Sequence, residues 1–350
     1  MLDKNDNLLE GKLFMKFNKI LVIQYNMLGD VVLSTGIVRA LRAQFPHSKI
    51  AFLVSPETAD LVRLPFVDEV IAYDKGMPML PVIRKVWRYD VALLLDFKYR
   101  SAVIPFLACI PVRAGLAHKR KLFMTHAIPL PKYDNEMYIT EYMRNIIKDS
   151  IGLNITHDVT QLCVAEATQN DKRAVDNLLM DKWNLDSTTV KIAIAPFSST
   201  HVKDWPVDYY SRFIQRLKEK MKCSFVILGG PSDVEKTFCP MEDNMLDLRG
   251  KTSLTETAEV LRRADYFIGG CSANVHISYA VGTPTMVFYG PSLPVKWAPP
   301  KRCVALRHEH PCMPCDKAYG YACGGDNICM KSITVEEALA AFEKLMESDV

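Results

Sequence analysis

The sequence predicts an α/β protein of two doubly wound domains that face one another across a cleft. Two observations carry this expectation. Short, nearly continuous apolar runs alternate with amphipathic segments, the pattern of parallel sheets covered by helices, and the series occurs twice along the chain. At 350 residues, 49% hydrophobic and 24% charged, the chain is long enough for two cores of about 150 residues each.

The first apolar run is Ile20–Tyr25 (ILVIQY), read as a buried parallel strand. Helical spacing follows over Val31–Gln44, with Val32, Thr35, Ile37/Val38 and Leu41 on one face, and Pro46 stops it. Ile50–Val54, Val70–Tyr73 and Val91–Asp96 read as further strands, and Ala108–Val112 and Ala127–Leu130 as strand-like runs. The charged segment Ala165–Met180 reads as a helix at a boundary near residues 165–189. It divides an N-terminal domain, 1–170, from a C-terminal domain, 171–350. The second series has strands at Val190–Ala195, Cys223–Leu228, Tyr266–Gly269 and Pro284–Tyr289. Helices are expected at Val207–Met221, Leu254–Arg263 and Asn274–Val281. A closing helix, 335–346, is free to pack back on the first domain.

Charge is unevenly distributed. Residues 1–150 carry 21 Lys/Arg against 15 Asp/Glu, whereas the remainder carries 22 against 25. A basic half beside a mildly acidic one suits an anionic partner on the N-terminal domain, although a surface excess accounts for it equally well. The opening MLDKNDNLLEGKLFMKFNK is polar and mixed in charge, unlike a secretory signal, and no run reaches the roughly 18–20 apolar residues of a membrane span. Six of the ten cysteines stand singly in apolar or helical segments, as reduced thiols of a cytoplasmic protein would. A nucleic-acid partner is not expected.

Ligands of such folds sit beyond the carboxyl ends of the strands, so the turns after each strand hold the candidates. Asn26-Met27-Leu28-Gly29-Asp30 is neither a dinucleotide fingerprint nor a P-loop. It sets a carboxylate, Asp30, at a helix start. Asp30 is there either as an N-cap or as a general base that accepts a proton from an attacking sugar hydroxyl. Pro196–Pro206 offers Ser198, Ser199 and Thr200 in a row, then Lys203, before a helix. Hydroxyls, a helix N-terminus and a lysine are what a diphosphate requires, and a Ser/Thr capping loop is the plainer alternative. Gly229-Gly230-Pro231-Ser232-Asp233 brings glycines and an acid suited to ribose hydroxyls. Gly269–His276 is a small-residue turn into a helix, with Ser272 and Asn274 as caps and His276 one turn in. These turns converge on one nucleotide site. No D-x-D pair is present to hold a divalent metal, so Lys203, hydroxyls and helix dipoles would stabilise the leaving group.

These residues bring a resemblance into view. KILVIQYNMLGDVVLSTGIVRALRAQFP, K-x-W-P at Lys203–Pro206, G-G-P-x-D at 229–233 and H-x-x-x-A-x-G-T-P at 276–284 closely resemble glycosyltransferase family 9, the ADP-heptose:lipopolysaccharide heptosyltransferases. The likeness covers roughly residues 19–346. It implies a GT-B architecture of two Rossmann-like domains, the first binding the acceptor and the second ADP-heptose, and an inverting, metal-free mechanism. It implies Asp30 as catalytic base, Ser198 and Ser199 at the donor phosphates and Lys203 as the phosphate-binding lysine. It also implies Asp233 at the ribose, and Ser272, Ala273 and His276 in the loop that holds the donor. The chain departs from the family's D-[TS]-G-x-x-H at Cys271, where the family has an aspartate that contacts the donor sugar, and at Ala273, where it has glycine. The departure bears on the sugar more than on the nucleotide or the fold.

An anionic lipopolysaccharide-core acceptor directs attention to Arg63, Arg113, His118, Lys119, Arg120 and Lys121. Peripheral contact with the inner membrane face fits the basic half. Cys312, Cys315, Cys323 and Cys329 follow C-x2-C-x7-C-x5-C, spacing that suits a structural zinc or iron, reduced structural thiols or disulfides. Competing functions are a family 9 protein O-heptosyltransferase, a nucleotide-sugar-binding protein without transferase activity, and a GT-B epimerase.

Overall fold

The structure, a computed structural model, describes residues 16–131, 135–179, 183, 188–313, 315, 323–324 and 326–348. The polar opening, residues 1–15, and Met180, the expected end of the boundary helix, lie outside these.

Two six-stranded parallel sheets form the framework. The first comprises β1 (Lys19–Ile23), β2 (Lys49–Val54), β3 (Glu69–Ala72), β4 (Val91–Leu94), β5 (Val112–Leu116) and β6 (His126–Ile128), in the order β3-β2-β1-β4-β5-β6. The second comprises β7 (Val190–Ala195), β8 (Cys223–Ile227), β9 (Met245–Asp247), β10 (Tyr266–Gly270), β11 (Thr285–Phe288) and β12 (Cys303–Leu306), in the order β12-β11-β10-β7-β8-β9. Each unit's own six strands thus follow 3-2-1-4-5-6, the Rossmann order, with a topological switch beside its first strand. In register, Ile20 of β1 lies between Ile50 and Val91, and Ile192 of β7 between Phe225 and Tyr266. Ile20–Ile23 is wholly buried, which explains why β1 reads as an unbroken apolar run and not an alternating one.

The helices are α1 (Leu28–Gln44), α2 (Met79–Lys85), α3 (Tyr99–Leu107), α4 (Ile139–Ile151), α5 (Gln169–Leu179), α6 (Val207–Lys220), α7 (Leu254–Arg263), α8 (Ala273–Val281), α9 (Pro294–Trp297), α10 (Ile328–Lys331) and α11 (Val335–Ser348). α1 of the first unit packs against α8 of the second, and one apolar cluster runs from Ile20 through Val31 and Val275 to Tyr289. The two units therefore share a core beside the cleft.

Four local expectations change. The run Ala108–Val112 is not a strand: Ala108 caps α3, Cys109 takes φ 53°, and β5 begins only after Pro111. α5 starts at Gln169 instead of Ala165, because Thr168 and Asp171 exchange hydrogen bonds across the helix start while Ala165 N–H donates to Leu61 O. β9 and β12 are short edge strands whose apolar pattern is too brief to read. α11 packs on α6, β11 and β12 within the second unit, not back on the first; Phe342 and Leu345 fill that core with Phe213 and Phe288.

Candidate active site at the cleft

The candidate residues gather at the two switch points. Asp30 follows β1 and Asp96 follows β4; the Lys203 loop follows β7 and the Cys271–His276 turn follows β10. Helix α1 is capped by Met27 in extended conformation, so Asp30 is not the N-cap but lies three residues in. A hydrogen bond from the Met27 backbone holds its carboxyl. Burial nonetheless pushes that carboxyl from 3.8 up to about 6, a rise that the Asp96 charge reinforces and Lys203 and Lys296 oppose. A carboxylate ionised at neutral pH yet this basic is matched to taking a proton.

The second unit comes directly onto this turn. A Cβ built on Gly29 would stand 3.2 Å from His276 Cδ2 and 3.6 Å from the Ala273 Cα, so glycine is what lets the starts of α1 and α8 meet. His276 is only 4% exposed. Burial lowers it to about 4, so it is neutral at pH 7, and its Nδ1 is buried with no partner. Ser272 is the N-cap of α8, yet its hydroxyl makes no capping bond and is likewise unpartnered. Ala273 and Asn274 open the helix and are partly exposed. Cys271 is a thiol that Lys203, Asp30 and Ser292 all influence; burial dominates and raises it above the ordinary thiol range.

Lys203 is positioned by packing on both sides. Trp205 stacks on Phe288 with centroids 4.3 Å apart and donates its indole N–H to Ile333 O at 2.9 Å. A Cβ on Gly270 would come within 2.7 Å of the Lys203 carbonyl oxygen, so the loop closes on β10 only because glycine stands there. Asp204 then shapes the serine turn, accepting from Ser198 N–H at 2.7 Å and from its Oγ at 2.8 Å. Ser198 therefore faces inward, where a phosphate-facing hydroxyl was expected, whereas Ser199 is exposed and Thr200 partly so.

Asp233 also differs from expectation. Its buried carboxylate accepts from Gly230 N–H at 2.9 Å and Lys236 Nζ at 2.7 Å, closing the Gly229-Gly230 turn on itself. The basic candidates separate in the same way. Arg120 is 1% exposed and pairs with buried Asp96 at 2.9 Å, while its guanidinium also donates to Leu116, Asp96 and Lys98 carbonyls. Arg113 donates to Phe123 O and Ile110 O and covers the Phe106 ring. Arg63 is exposed and paired with Asp60. Of the expected acceptor contacts, His118, Lys119 and Lys121 lie exposed on the 3-10 turn His118–Phe123.

Two residues escaped the sequence reading. Asp96 accepts from Tyr25 N–H, Lys98 N–H and Ser101 Oγ besides Arg120, tying the ends of β1 and β4 together; its place at the end of an apolar strand was the available signal. Lys296 on α9 reaches across the units to Asn135 Oδ1 at 3.3 Å and over the Tyr142 ring, within electrostatic reach of Asp30. Nothing in its sequence context announces that reach.

The cysteine cluster assembles only in part. Cys312, Cys323 and Cys329 all raise Cys315, whose thiol burial pushes up to about 11. Among the described residues, no set of three or more His, Cys, Asp or Glu side chains comes together to hold a metal, so the structure assigns no site to the zinc or iron that the spacing suits. All four stand as free thiols, not disulfides. His310 bonds to Ser332 and His308 to Glu337.

The sequence profile of glycosyltransferase family 9 (heptosyltransferase) matches residues 83–320, more than half of the chain. The chain belongs to that family. It is 26% identical over 302 residues to lipopolysaccharide heptosyltransferase 2 of Escherichia coli (strain K12), covering 79% of this chain and 84% of that protein. Among solved structures, a glycosyltransferase family 9 protein of Veillonella parvula DSM 2008 superposes with a TM-score of 0.79 at 21% identity, over 95% of this chain and 97% of that one. The E. coli ADP-heptose lipopolysaccharide heptosyltransferase II does so at 0.75 and 22%, over 95% and 99%. The fold is therefore GT-B, and the protein is a glycosyltransferase.

Proposed function

We propose that this glycosyltransferase moves a heptose from ADP-heptose to a lipopolysaccharide core acceptor with inversion at the anomeric carbon. The observation that carries this reading is the approach of α1 to α8, which sets a basic carboxylate, Asp30, within the field of Lys203 on the opposite wall. Asp30 takes the proton of the acceptor hydroxyl as that oxygen attacks the anomeric carbon. The carbon–oxygen bond to the diphosphate breaks on the far side, its electron pair leaves with ADP, and the new glycosidic bond has the opposite configuration. Lys203 supplies the positive charge toward the departing diphosphate, with Ser199, Thr200 and the N–H groups at the start of α8 beside it. Ser198 acts by holding the turn through Asp204, and Asp233 by closing the glycine turn. His276, being neutral, contributes a hydrogen bond and not a charge.

Cys271 makes the sugar pocket less anionic than an aspartate would, so the donor sugar is a variant heptose or is held by neutral contacts. The acceptor's anionic groups meet His118, Lys119 and Lys121 on the first unit, and the enzyme works on the cytoplasmic face of the inner membrane. No helix among the described residues is long and apolar enough to cross a membrane. The test is incubation with ADP-heptose and core acceptors, with ADP release followed over time and product configuration read by NMR. Absence of acceptor-dependent ADP release refutes the reading, and retention at the anomeric carbon refutes the mechanism.

A further inference from the structure

Residues 97–131 contain six Lys/Arg and no Asp or Glu. The structure folds this segment into one face. Helix α3 packs on the 3-10 turn His118–Phe123, where Phe123 receives Tyr99 and Phe106 edge-on at 5.0 and 5.3 Å. Around that aromatic centre Phe97, Tyr99, Phe106, Leu107 and Leu122 all stand exposed, Leu122 at 85% and Tyr99 at 55%. Lys98, Lys119 and Lys121 are exposed between them. Helix α2 adjoins α3, the Arg88 N–H donating to Ala108 O at 3.0 Å; Leu80 on it and Trp87 just after it are exposed.

The protrusion is braced from within. The buried Arg120–Asp96 pair anchors the turn to the end of β4, which leaves Leu122 no core to enter. Asp96, the carboxylate beneath the turn, is already neutralised by Arg120, and Glu69 beside α2 is paired with Lys85. Outward, the face therefore presents apolar side chains and uncompensated cations. A soluble polar ligand would have no use for the first, and an apolar protein partner none for the second. The combination matches a bilayer interface, where Leu and aromatic side chains enter the acyl boundary and Lys or Arg meet anionic headgroups.

We propose that this face, α3 with the turn His118–Phe123 and the edge of α2, docks the enzyme on an anionic lipid surface. Its Lys98–Tyr99 and His118 end lies at the carboxyl ends of β4 and β5, the same sheet edge that carries Asp30 after β1, and the face runs from there toward the strands' amino ends at Leu107 and Phe123. Docking there sets the cleft mouth at the membrane, so that a lipid-anchored acceptor reaches Asp30 from the bilayer. This last point rests on the acceptor reading above; the lipid surface itself does not.

The test is co-sedimentation of the full chain with vesicles of phosphatidylcholine alone or mixed with phosphatidylglycerol. The wild type is expected to bind the mixed vesicles and to be released by salt, since the headgroup attraction is screened. Tyr99→Glu/Leu122→Glu should lower the bound fraction about tenfold or more, and Leu122→Trp should raise it, with unchanged melting for both. Leu122→Glu should leave transfer to a delipidated, water-soluble acceptor intact and slow transfer to the same acceptor embedded in vesicles. Wild type that ignores phosphatidylglycerol vesicles, or a double variant that binds like wild type, overturns the proposal. So does a wild-type dimer that the double variant dissolves, which would make this face a contact between two copies. Vesicle binding that follows the prediction without transfer to any acceptor supports the docking face and overturns the acceptor reading instead.

Discussion

Asp30→Asn separates the chemistry of the carboxylate from its place in the fold. The amide is nearly isosteric and its oxygen can still accept from the Met27 backbone, so the start of α1 is retained. Transfer should nevertheless fall by roughly 10²–10⁴ in kcat/KM, the range for loss of a general base. Stability should move the other way. The folded carboxyl titrates at about 6 against 3.8 for the free group, so the folded state binds its proton more tightly than the unfolded state. Its stabilising contribution is fully present below pH 3.8 and is lost as pH rises through about 6. Above that, holding the charge in the cleft costs up to about 3 kcal/mol, at 1.36 kcal/mol per pK unit. The variant carries no such charge. It should melt above the wild type at pH 8, with the gap closing toward pH 4. Thermal melts at pH 4, 6 and 8, beside ADP release, check both halves, and wild-type kcat/KM should itself rise through about pH 6 and level off. An Asn variant with wild-type turnover, or one less stable at pH 8 than at pH 4 relative to wild type, refutes the reasoning.

Lys203→Ala should weaken ADP binding by about 1.5–3 kcal/mol, the worth of a charge-assisted hydrogen bond, with calorimetry as the measurement; unchanged affinity removes the lysine from the phosphates. Gly270→Ala drives a Cβ to 2.7 Å from the Lys203 carbonyl, so the donor KM should rise while the acceptor KM holds, as steady-state kinetics would show. Arg120→Met leaves Asp96 charged and buried and should destabilise the fold by about 3–5 kcal/mol in urea titrations. A variant as stable as wild type but raised only in acceptor KM would return Arg120 to the acceptor. On the proposed arrangement, in which Lys203 and helix N-termini share the diphosphate charge, brief EDTA treatment should leave ADP release unchanged, and a prompt loss restored by a divalent ion would refute it.

The main strands and most long helices were legible because buried parallel strands leave unbroken apolar runs and covering helices leave one apolar face. The turns after β1, β7 and β10 were legible as small and polar for a related reason: at a Rossmann switch point the strand ends diverge, and the chain must supply small or polar residues there. Types and spacing within one turn are local information, and local information survives in sequence. What Asp30, Ser198, Asp233 and Arg120 do is not fixed by residue type and spacing. One acid is pushed up by burial under a second domain, another is buried closing its own loop, a serine is turned inward by Asp204, and an arginine in a basic run is the most buried of its group. In sequence these are a cap or general base, a ribose acid, a phosphate hydroxyl and a cation for the acceptor or the surface. Burial and charge pairing are properties of surfaces brought together from segments as far apart as Asp96 and Arg120, or Gly29 and His276, and only tertiary packing sets the dielectric and the partners that decide them.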